Sequence, residues 1–255
     1  MMTDSRFRIL LLLPVLLLLG ACSGEKIVFN YPGEEIDFRL ANIRTPSVYI
    51  DSVTDMRPLN QRQGGGKFLG IDYPADRSWD RPVAQVYAEA LAQDTEQTNL
   101  VQLVPLRGQA DYVLSADILS MGCRFERTAG SFFIPALIGG AMGLALGEDG
   151  SDRAKLGAVL GAVAVVAVPM PSRNRAEAEV RLTLKDRTGN LLWSKSCLGE
   201  YEDRIYAAAT SRQDQRFVDE HLTKAVKRAN ACLLGQMRQF LLERAQPAEA
   251  EPADN

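Results

Sequence analysis

Histidine is nearly absent from this sequence, since His221 is the only one among 255 residues. A Ser-His-Asp or Cys-His nucleophile needs a histidine as its base. His221 stands beside Leu222 at the edge of an apolar helical stripe, where we expect a surface or boundary residue. No G-x-S-x-G turn occurs, and a lone histidine with scattered cysteines gives no zinc spacing. The sequence therefore predicts a protein that is not an enzyme and has neither a metal site nor a cofactor.

Basic clusters and nucleotide motifs are missing as well. Lys and Arg number 29 against 32 Asp and Glu, a formal net charge of −3, and no basic run is dense enough to predict a nucleic-acid partner. The segment QGGGKF fails the P-loop pattern, because Phe68 follows Lys67 and no glycine stands five residues before Gly66. The acidic turn GEDGSD, residues 147–152, lacks the ligand series of an EF-hand. No small-molecule substrate is evident.

The amino terminus has the pattern of an exported lipoprotein. Two arginines precede an apolar run at 9–19, which is too short for an ordinary transmembrane helix and ends in small residues. The ending LGAC, residues 19–22, resembles the bacterial lipobox. We therefore expect signal cleavage between Ala21 and Cys22, with a diacylglycerol group and palmitate attached at Cys22. Ser23 stands where aspartate would retain the protein at the inner membrane, so the predicted location is the outer membrane, facing the periplasm.

The composition along the chain divides it into four parts. The α+β arrangement is expected from the order strand, helix, strand, strand, insert, strand, strand, helix. It predicts a mainly antiparallel sheet of about five strands with two helices on one face. The parts are a signal peptide at 1–21, a lipidated tether at 22–46, a periplasmic domain at 47–243 with an apolar insert at 131–171, and a disordered acidic tail at 244–255.

The strand register can be predicted in two places. Apolar even residues alternate with polar odd ones over 176–185, which is typical of a strand with one buried face. The turn DRTGN then places Leu184 opposite Trp193 and Val180 opposite Cys197. In the preceding strand the apolar positions change phase after Ile118, which predicts a β-bulge or a change of the exposed face.

Three cysteines remain once Cys22 carries lipid. An oxidising periplasm permits one disulfide among Cys123, Cys197 and Cys232. Cys197 falls on the inward face of its strand, and Cys232 falls at the edge of the closing helix's apolar stripe. Cys197 and Cys232 are therefore the candidate disulfide. A pair between Cys123 and Cys197, or buried thiols, are the alternatives.

The carboxyl-terminal half, RAEAEVRLTLKDRTGNLLWSKSCLGEYEDRIYAAATSRQDQRFVDEHLTKAVKRANACLLGQM, resembles the YajG-like family of bacterial outer-membrane lipoproteins. The shared pattern is a charged alternating strand, a Gly-Asn turn, a second strand, a polar loop and a long closing helix. The resemblance covers 47–127 and 174–243, and it extends more loosely to the periplasmic domain of the curli secretion lipoprotein CsgG. It implies an accessory envelope role and supplies no catalytic residues. The long insert departs from the compact pattern of the family.

The insert has two apolar arms, 132–146 and 156–170. As helices they would each reach about 22 Å, short of a hydrocarbon core of about 30 Å. Glycines recur four residues apart, a spacing that lets helices approach closely as in a glycine zipper. We predict a helical hairpin, with a β-hairpin as the alternative. The glycines expected to mediate self-association or membrane insertion are Gly139, Gly143, Gly147, Gly157 and Gly161.

These patterns predict a non-catalytic structural and interaction module of the cell envelope. Its expected partners are the membrane, through Cys22, and further copies of itself or another envelope protein. The insert would self-associate, which we favour, or enter the membrane. An alternative is an oligomeric secretion or transport component that forms a CsgG-like pore, although the arms lack the polar alternation of a membrane barrel. In a further alternative, the insert packs on its own domain.

Overall fold

The computed structural model describes residues 26–33, 38–40, 44–64, 66–67, 70–127, 129–146, 150–167, 170–207 and 214–245. In this part of the chain the strands are β1 (Ser47–Asp55), β2 (Gly66–Lys67), β3 (Gly70–Tyr73), β4 (Gln102–Leu103), β5 (Tyr112–Arg127), β6 (Met170–Asp186) and β7 (Leu191–Ala207). The helices are α1 (Leu59–Gln63), α2 (Val83–Gln97), α3 (Ala129–Leu146), α4 (Gly150–Ala167), α5 (Asp214–Phe217) and α6 (Thr223–Ala245). A π-helical turn, Val218–Leu222, joins α5 to α6, and short 3-10 turns occupy Asp76–Ser78 and Arg107–Gln109.

The strands form one mixed sheet, so the fold is α+β but the sheet is not mainly antiparallel as expected. Strand β5 pairs antiparallel with β6 along its length and with β3 near its end, and β6 pairs antiparallel with β7. Strand β1, however, runs parallel to both β4 and β5. The helix α2 lies between β1 and β4 in the chain and provides the crossover that parallel strands require. Apolar alternation predicts which face of a strand is buried, but it carries no information on strand direction.

The predicted register of the long strands is confirmed. Leu184 lies opposite Trp193, and Val180 lies opposite Cys197. The pairing of β5 with β6 shifts between Ile118 and Ser120, where the change of phase predicts a bulge. Both features follow from the period-two alternation of side chains in a strand, because one extra residue exchanges the buried and exposed positions.

The core lies between the sheet and the helices α2 and α6. The even residues of β6 from Ala176 to Leu184 are fully buried, as are four residues that α6 presents at helical spacing, Val226, Ala229, Leu233 and Met237. The helix α6 crosses β7 at Gly199, where a Cβ would collide with the carbonyl oxygen of Ala225 and lie 2.6 Å from the amide nitrogen of Ala229. This crossing therefore needs a residue without a side chain.

The described residues at 26–33 and 38–40 pack on the domain, which corrects the expected tether over these positions. Ile27 is only 3% exposed and forms a bridge with Trp79. Its amide nitrogen donates to the carbonyl oxygen of Ser78 at 2.7 Å, and its carbonyl oxygen accepts from the amide nitrogen of Asp80 at 3.0 Å. Phe29 and Leu40 join the same core. The segment shows no period in the sequence because it follows neither a regular strand nor a helix.

A buried polar network fastens this segment to the two core helices. Asp94 of α2 accepts hydrogen bonds from the Tyr31 hydroxyl at 2.5 Å and from Asn230 Nδ2 of α6 at 2.7 Å. The Tyr87 hydroxyl donates to Asn230 Oδ1 at 2.7 Å. Lys227 Nζ lies 3.4 Å from Asp94 Oδ1 and 4.5 Å from the centre of the Tyr31 ring. Burial, reinforced by the Asp94 charge, raises the pKa values of Tyr31 and Tyr87 above the ordinary value for tyrosine.

Two of the cysteines join β7 to α6. Cys197 and Cys232 form a disulfide in the structure, with Cα atoms 6.2 Å apart. The Cys123 thiol is buried and lies 3.9 Å from the carbonyl oxygen of Phe217, to which it donates. The covalent link holds α6 over β7, an edge strand of the described sheet.

The crossing at Gly199 gives a test of this packing. Gly199→Ala should lower the free energy of unfolding by about 1–3 kcal/mol or more, because the added methyl group overpacks the contact with α6. Gly235→Ala, in α6 itself, is the matched control, because nothing lies within 4 Å of a Cβ built there. The control should be neutral or stabilise by up to about 1 kcal/mol through helix propensity. Urea denaturation measures both, and equal effects would contradict the close crossing.

Candidate functional site

The helices α3 and α4, named here the helix pair, pack against each other at very short distance. A Cβ on Gly139 would collide with the carbonyl oxygen of Leu160, and one on Gly161 would lie 3.0 Å from the carbonyl oxygen of Ala136. A Cβ on Gly140 would lie 3.8 Å from the carbonyl oxygen of Gly157, which is an ordinary van der Waals distance. Ascending positions in α3 meet descending positions in α4, so the two helices are antiparallel. The backbones come this close because both helices carry glycine at the contact.

The structure gives a position for four of the five predicted glycines. Gly139, Gly157 and Gly161 lie at the contact between the two helices, and Gly143 lies within α3. Gly147 and the predicted lipidation residues Ala21 and Cys22 lie outside the described residues. The expected insert also ends sooner than predicted, because β6 begins at Met170. Gly139, Gly157 and Gly161 thus serve a contact within the chain, and a partner that meets the pair elsewhere would contact another surface.

That other surface is apolar and exposed. Leu137, at the centre of α3, is 70% exposed. The α3 sequence contains no charged residue. The exposed residues, named here the apolar face, are Phe133, Ile134, Leu137, Ile138 and Met142 of α3 with Val159 and Val163 of α4. These seven side chains are 42–70% exposed, and the alternative that the insert packs on its own domain stays a prediction. Soluble monomers rarely expose an apolar surface of this kind unless it meets a partner.

The helix pair leaves the sheet at one end. Helix α3 begins just after β5 ends, and β6 begins just after α4 ends. Within the sheet, Arg127 pairs with Ser172, and Met170 pairs with Ala207 of β7. We call this the insert end of the sheet. The opposite end contains Asp186 and the start of β7.

The helix α6 runs along β7 away from the insert end. His221 contacts Tyr201 with ring centroids 5.1 Å apart, and Cys232 is bonded to Cys197. Further along, Phe240 contacts Trp193 at 6.4 Å. Rising numbers in α6 therefore correspond to falling numbers in β7, and the helices α5 and α6 begin at the insert end.

The amino-terminal segment runs alongside these helices in the same direction. The Val28 amide nitrogen donates to Gln215 Oε1 of α5 at 2.9 Å. Further along, Asn230 Nδ2 donates to the Tyr31 hydroxyl at 3.4 Å, and Arg238 Nε of α6 donates to the carbonyl oxygen of Phe38 at 3.3 Å. The segment therefore starts at the insert end and leads away from it. Lys26 and Ile27, the first described residues, therefore lie toward the insert end.

Aromatic contacts connect the amino-terminal segment to the base of the helix pair. Phe217 follows Gln215 by two residues, and its ring lies 6.3 Å from that of Phe125. Phe125 precedes the first residue of α3 by four positions. A short path of contacts thus links Val28 to the base of the helix pair.

His221 is buried among these contacts, which corrects its expected place at the surface. It is 2% exposed, and neither ring nitrogen has a hydrogen-bond partner among the described residues. Tyr201 and Phe217 contact its ring edge to face. The π-helical turn adds a residue to one helical turn and rotates His221 inward, a change that a regular helical period does not predict. Burial lowers the pKa of His221 below its ordinary value.

Among the described residues there is neither a cluster of metal ligands nor a membrane-crossing helix. Within the described ranges no group of three or more His, Cys, Asp or Glu side chains is placed to hold a metal ion. No helix in that part of the chain combines the length and apolar character needed to cross a membrane.

Comparisons with known proteins give only distant similarity. No family model matches the chain, and no curated protein matches it. Similar solved structures include a Xanthomonas campestris protein of the DUF330 family, with a TM-score of 0.40 and 9% identity over 85% of this chain and 98% of that one. A neuraminyllactose-binding hemagglutinin homolog from Helicobacter pylori gives 0.41 and 11% over 88% and 100%. Lipoprotein GNA1162 from Neisseria meningitidis gives 0.27 and 9% over 78% and 96%.

Bacterial lipoproteins are thus among the structures similar to this chain. TM-scores and identities this low assign neither family nor function. The resemblance to the YajG-like family and to CsgG stays a prediction.

The buried histidine predicts a pH dependence of stability. The pKa of His221 in the folded state lies below the unfolded value of about 6.5. Above pH 6.5 the residue is neutral in both states and does not change the free energy of unfolding. As the pH falls below 6.5 the unfolded state gains a proton more readily, so the fold loses stability. His221→Phe keeps an aromatic ring against Tyr201 and removes the titration. The free energy of unfolding, measured from pH 8 to pH 5, should fall more steeply for the wild type than for the variant. Parallel curves would contradict this account.

Proposed function

We propose that this protein is a non-catalytic structural and interaction module of the bacterial cell envelope. Lipid at Cys22 holds it at the outer membrane on the periplasmic side, and the apolar face of the helix pair inserts into the same leaflet. The observation that carries this proposal is the position of the exposed apolar face at the end of the sheet where the amino-terminal segment begins. Both attachments would then act on one side of the domain.

The distance between lipid and domain supports this arrangement. Lys26 follows Cys22 by four positions, and four Cα–Cα steps span at most about 14 Å. Ile27 and Phe29 are buried in the domain. A lipid at Cys22 would keep the insert end close to the membrane surface, within reach of the helix pair.

The dimensions of the helix pair favour shallow insertion. Each helix has 18 residues, which corresponds to about 27 Å and is less than a hydrocarbon core of about 30 Å. The first turns of α4 carry Arg153 and Lys155, both exposed. A pair too short to span the core, with Arg153 and Lys155 near one end of α4, would enter the leaflet only partway and leave these two side chains in contact with water.

The disulfide between Cys197 and Cys232 supports an exported protein. Disulfides form and persist in oxidising compartments such as the bacterial periplasm and are rare in the cytosol. This observation agrees with a chain that passes through the inner membrane before it folds.

Lipidation can be tested by metabolic labelling with palmitate. The wild-type protein should be labelled, and Cys22→Ser should not, because the thiol that carries the diacylglycerol group is lost. Cys232→Ser is the control, since it removes a cysteine but leaves the lipobox intact. Labelling of Cys22→Ser would contradict the anchor.

Insertion of the helix pair can be tested with lipid vesicles and a chain that starts after Cys22. The unlipidated protein should float with phosphatidylcholine vesicles, because the apolar face enters the leaflet. The double variant Leu137→Asp with Ile138→Asp should lose this binding. Leu191→Asp is the matched control, since Leu191 is 63% exposed and lies at the opposite end of the sheet.

Two results would contradict insertion. The wild-type chain could remain in solution as an oligomer while the double variant is a monomer. That result would assign the apolar face to contacts with other copies of the protein. Alternatively, Leu191→Asp could reduce flotation as strongly as the double variant. Circular dichroism of each variant checks that the domain is folded.

A further inference from the structure

The sheet face that points away from the core carries an uneven distribution of charge. On β6 its residues are the odd ones, which alternate with buried even ones. Register places them in rows with residues of β5 and β7. From the insert end, the first row is Glu126, Arg173 and Arg204, the second is Arg124, Arg175 and Glu202, and the third is Gly122, Glu177 and Glu200. The first two rows hold four arginines against two glutamates, and the third holds two glutamates and no arginine.

Two of these arginines have carboxylate partners within the protein. Arg124 Nε lies 3.1 Å from Asp72 Oδ1, and Arg175 forms an ion pair with Glu200. Both interactions hold the guanidinium groups on the protein surface. These two arginines are therefore occupied.

Arg173 and Arg204 are arranged differently. They lie directly opposite each other in the ladder between β6 and β7, and both are exposed. Like charges at directly opposite positions destabilise a sheet. In the described part of the chain no carboxylate lies within ion-pair distance of either guanidinium group. An anion between the two side chains would relieve their repulsion.

We propose that Arg173 and Arg204 bind the phosphate groups of anionic phospholipids in the leaflet that receives the helix pair. A guanidinium group donates two parallel hydrogen bonds to a phosphate, and two such groups side by side favour a doubly contacted or shared phosphate. The inference rests on the proposed function, because it takes the insert end to be the end that faces the membrane.

The position of Arg173 and Arg204 along the strands fits the depth of the headgroup layer. Arg173 stands three residues from the start of β6, and Arg204 stands three residues from the end of β7. At about 3.3 Å per residue this is about 10 Å from the insert end. The headgroup layer is about 5–7 Å thick on each side of a bilayer, and arginine side chains extend along a protein surface toward phosphates. Helices at the acyl boundary therefore leave the two guanidinium groups at headgroup level.

The experiment measures binding of the unlipidated chain, starting after Cys22, to phosphatidylcholine vesicles with and without phosphatidylglycerol. The double variant Arg173→Gln with Arg204→Gln should bind anionic vesicles about 25-fold more weakly than wild type, about 5-fold for each arginine. Its binding to pure phosphatidylcholine should be unchanged. Added salt should reduce the difference, because it screens the attraction to the surface.

The matched control is Lys185→Gln with Lys195→Gln. It removes the same charge from the same two strands, toward the opposite end of the sheet. It should bind anionic vesicles as the wild type does. An equal loss in both double variants would overturn the proposal, since net charge alone would then explain the binding.

Two other outcomes would also overturn the proposal. The first is anionic binding that is independent of Arg173 and Arg204 but still lost in the Leu137→Asp and Ile138→Asp variant, which would leave the proposed function intact. The second is stabilisation by inorganic phosphate that needs both arginines while vesicle charge has no effect, which would assign the pair to a free anion. Failure of the wild type to bind either vesicle would instead remove the proposed function, and this inference with it.

Discussion

The buried carboxylate of Asp94 is the point at which three separate parts of the chain are held together. It accepts hydrogen bonds from Tyr31 of the amino-terminal segment and from Asn230 of α6, and it lies 3.4 Å from Lys227 Nζ. A buried carboxylate needs such partners, because an unpaired one is strongly destabilising. The network therefore fixes the direction of the amino-terminal segment along α6. The position of the chain's predicted lipid anchor relative to the sheet depends on it.

The direction of that segment gives the domain two unlike ends. At the insert end, the base of the helix pair, the start of α5 and the entry of the amino-terminal segment are joined by contacts through Gln215 and Phe217. The opposite end carries a polar surface, with Arg187 Nη2 2.7 Å from Asp111 Oδ1. A protein attached at both points of one end has little freedom to tumble on its anchor. Its opposite end would then face the periplasm in a constant orientation.

The sequence predicts features that depend on local period and misses those that depend on distant partners. The register of β6 with β7 and the bulge in β5 follow from alternation, which specifies the buried face residue by residue. The parallel pairing of β1 does not follow, because alternation is the same in both directions. The packing of Ile27 on Trp79 joins residues about fifty positions apart and leaves no local signal. The glycine spacing predicts a close helix contact, but not whether that contact lies within one chain or between copies.

The distribution of residue size in the helix pair supports the proposal that lipid surrounds it. In water, an association surface buries large apolar side chains and leaves a polar face outside. Here the small residues Gly139 and Gly161 lie at the contact, and large ones such as Leu137 point outward. In a bilayer there is no hydrophobic force between helices, so close packing of small residues holds them together while bulky side chains meet the acyl chains. An interface between copies in water would need a polar surface beyond it, and the α3 sequence has no charged residue to provide one.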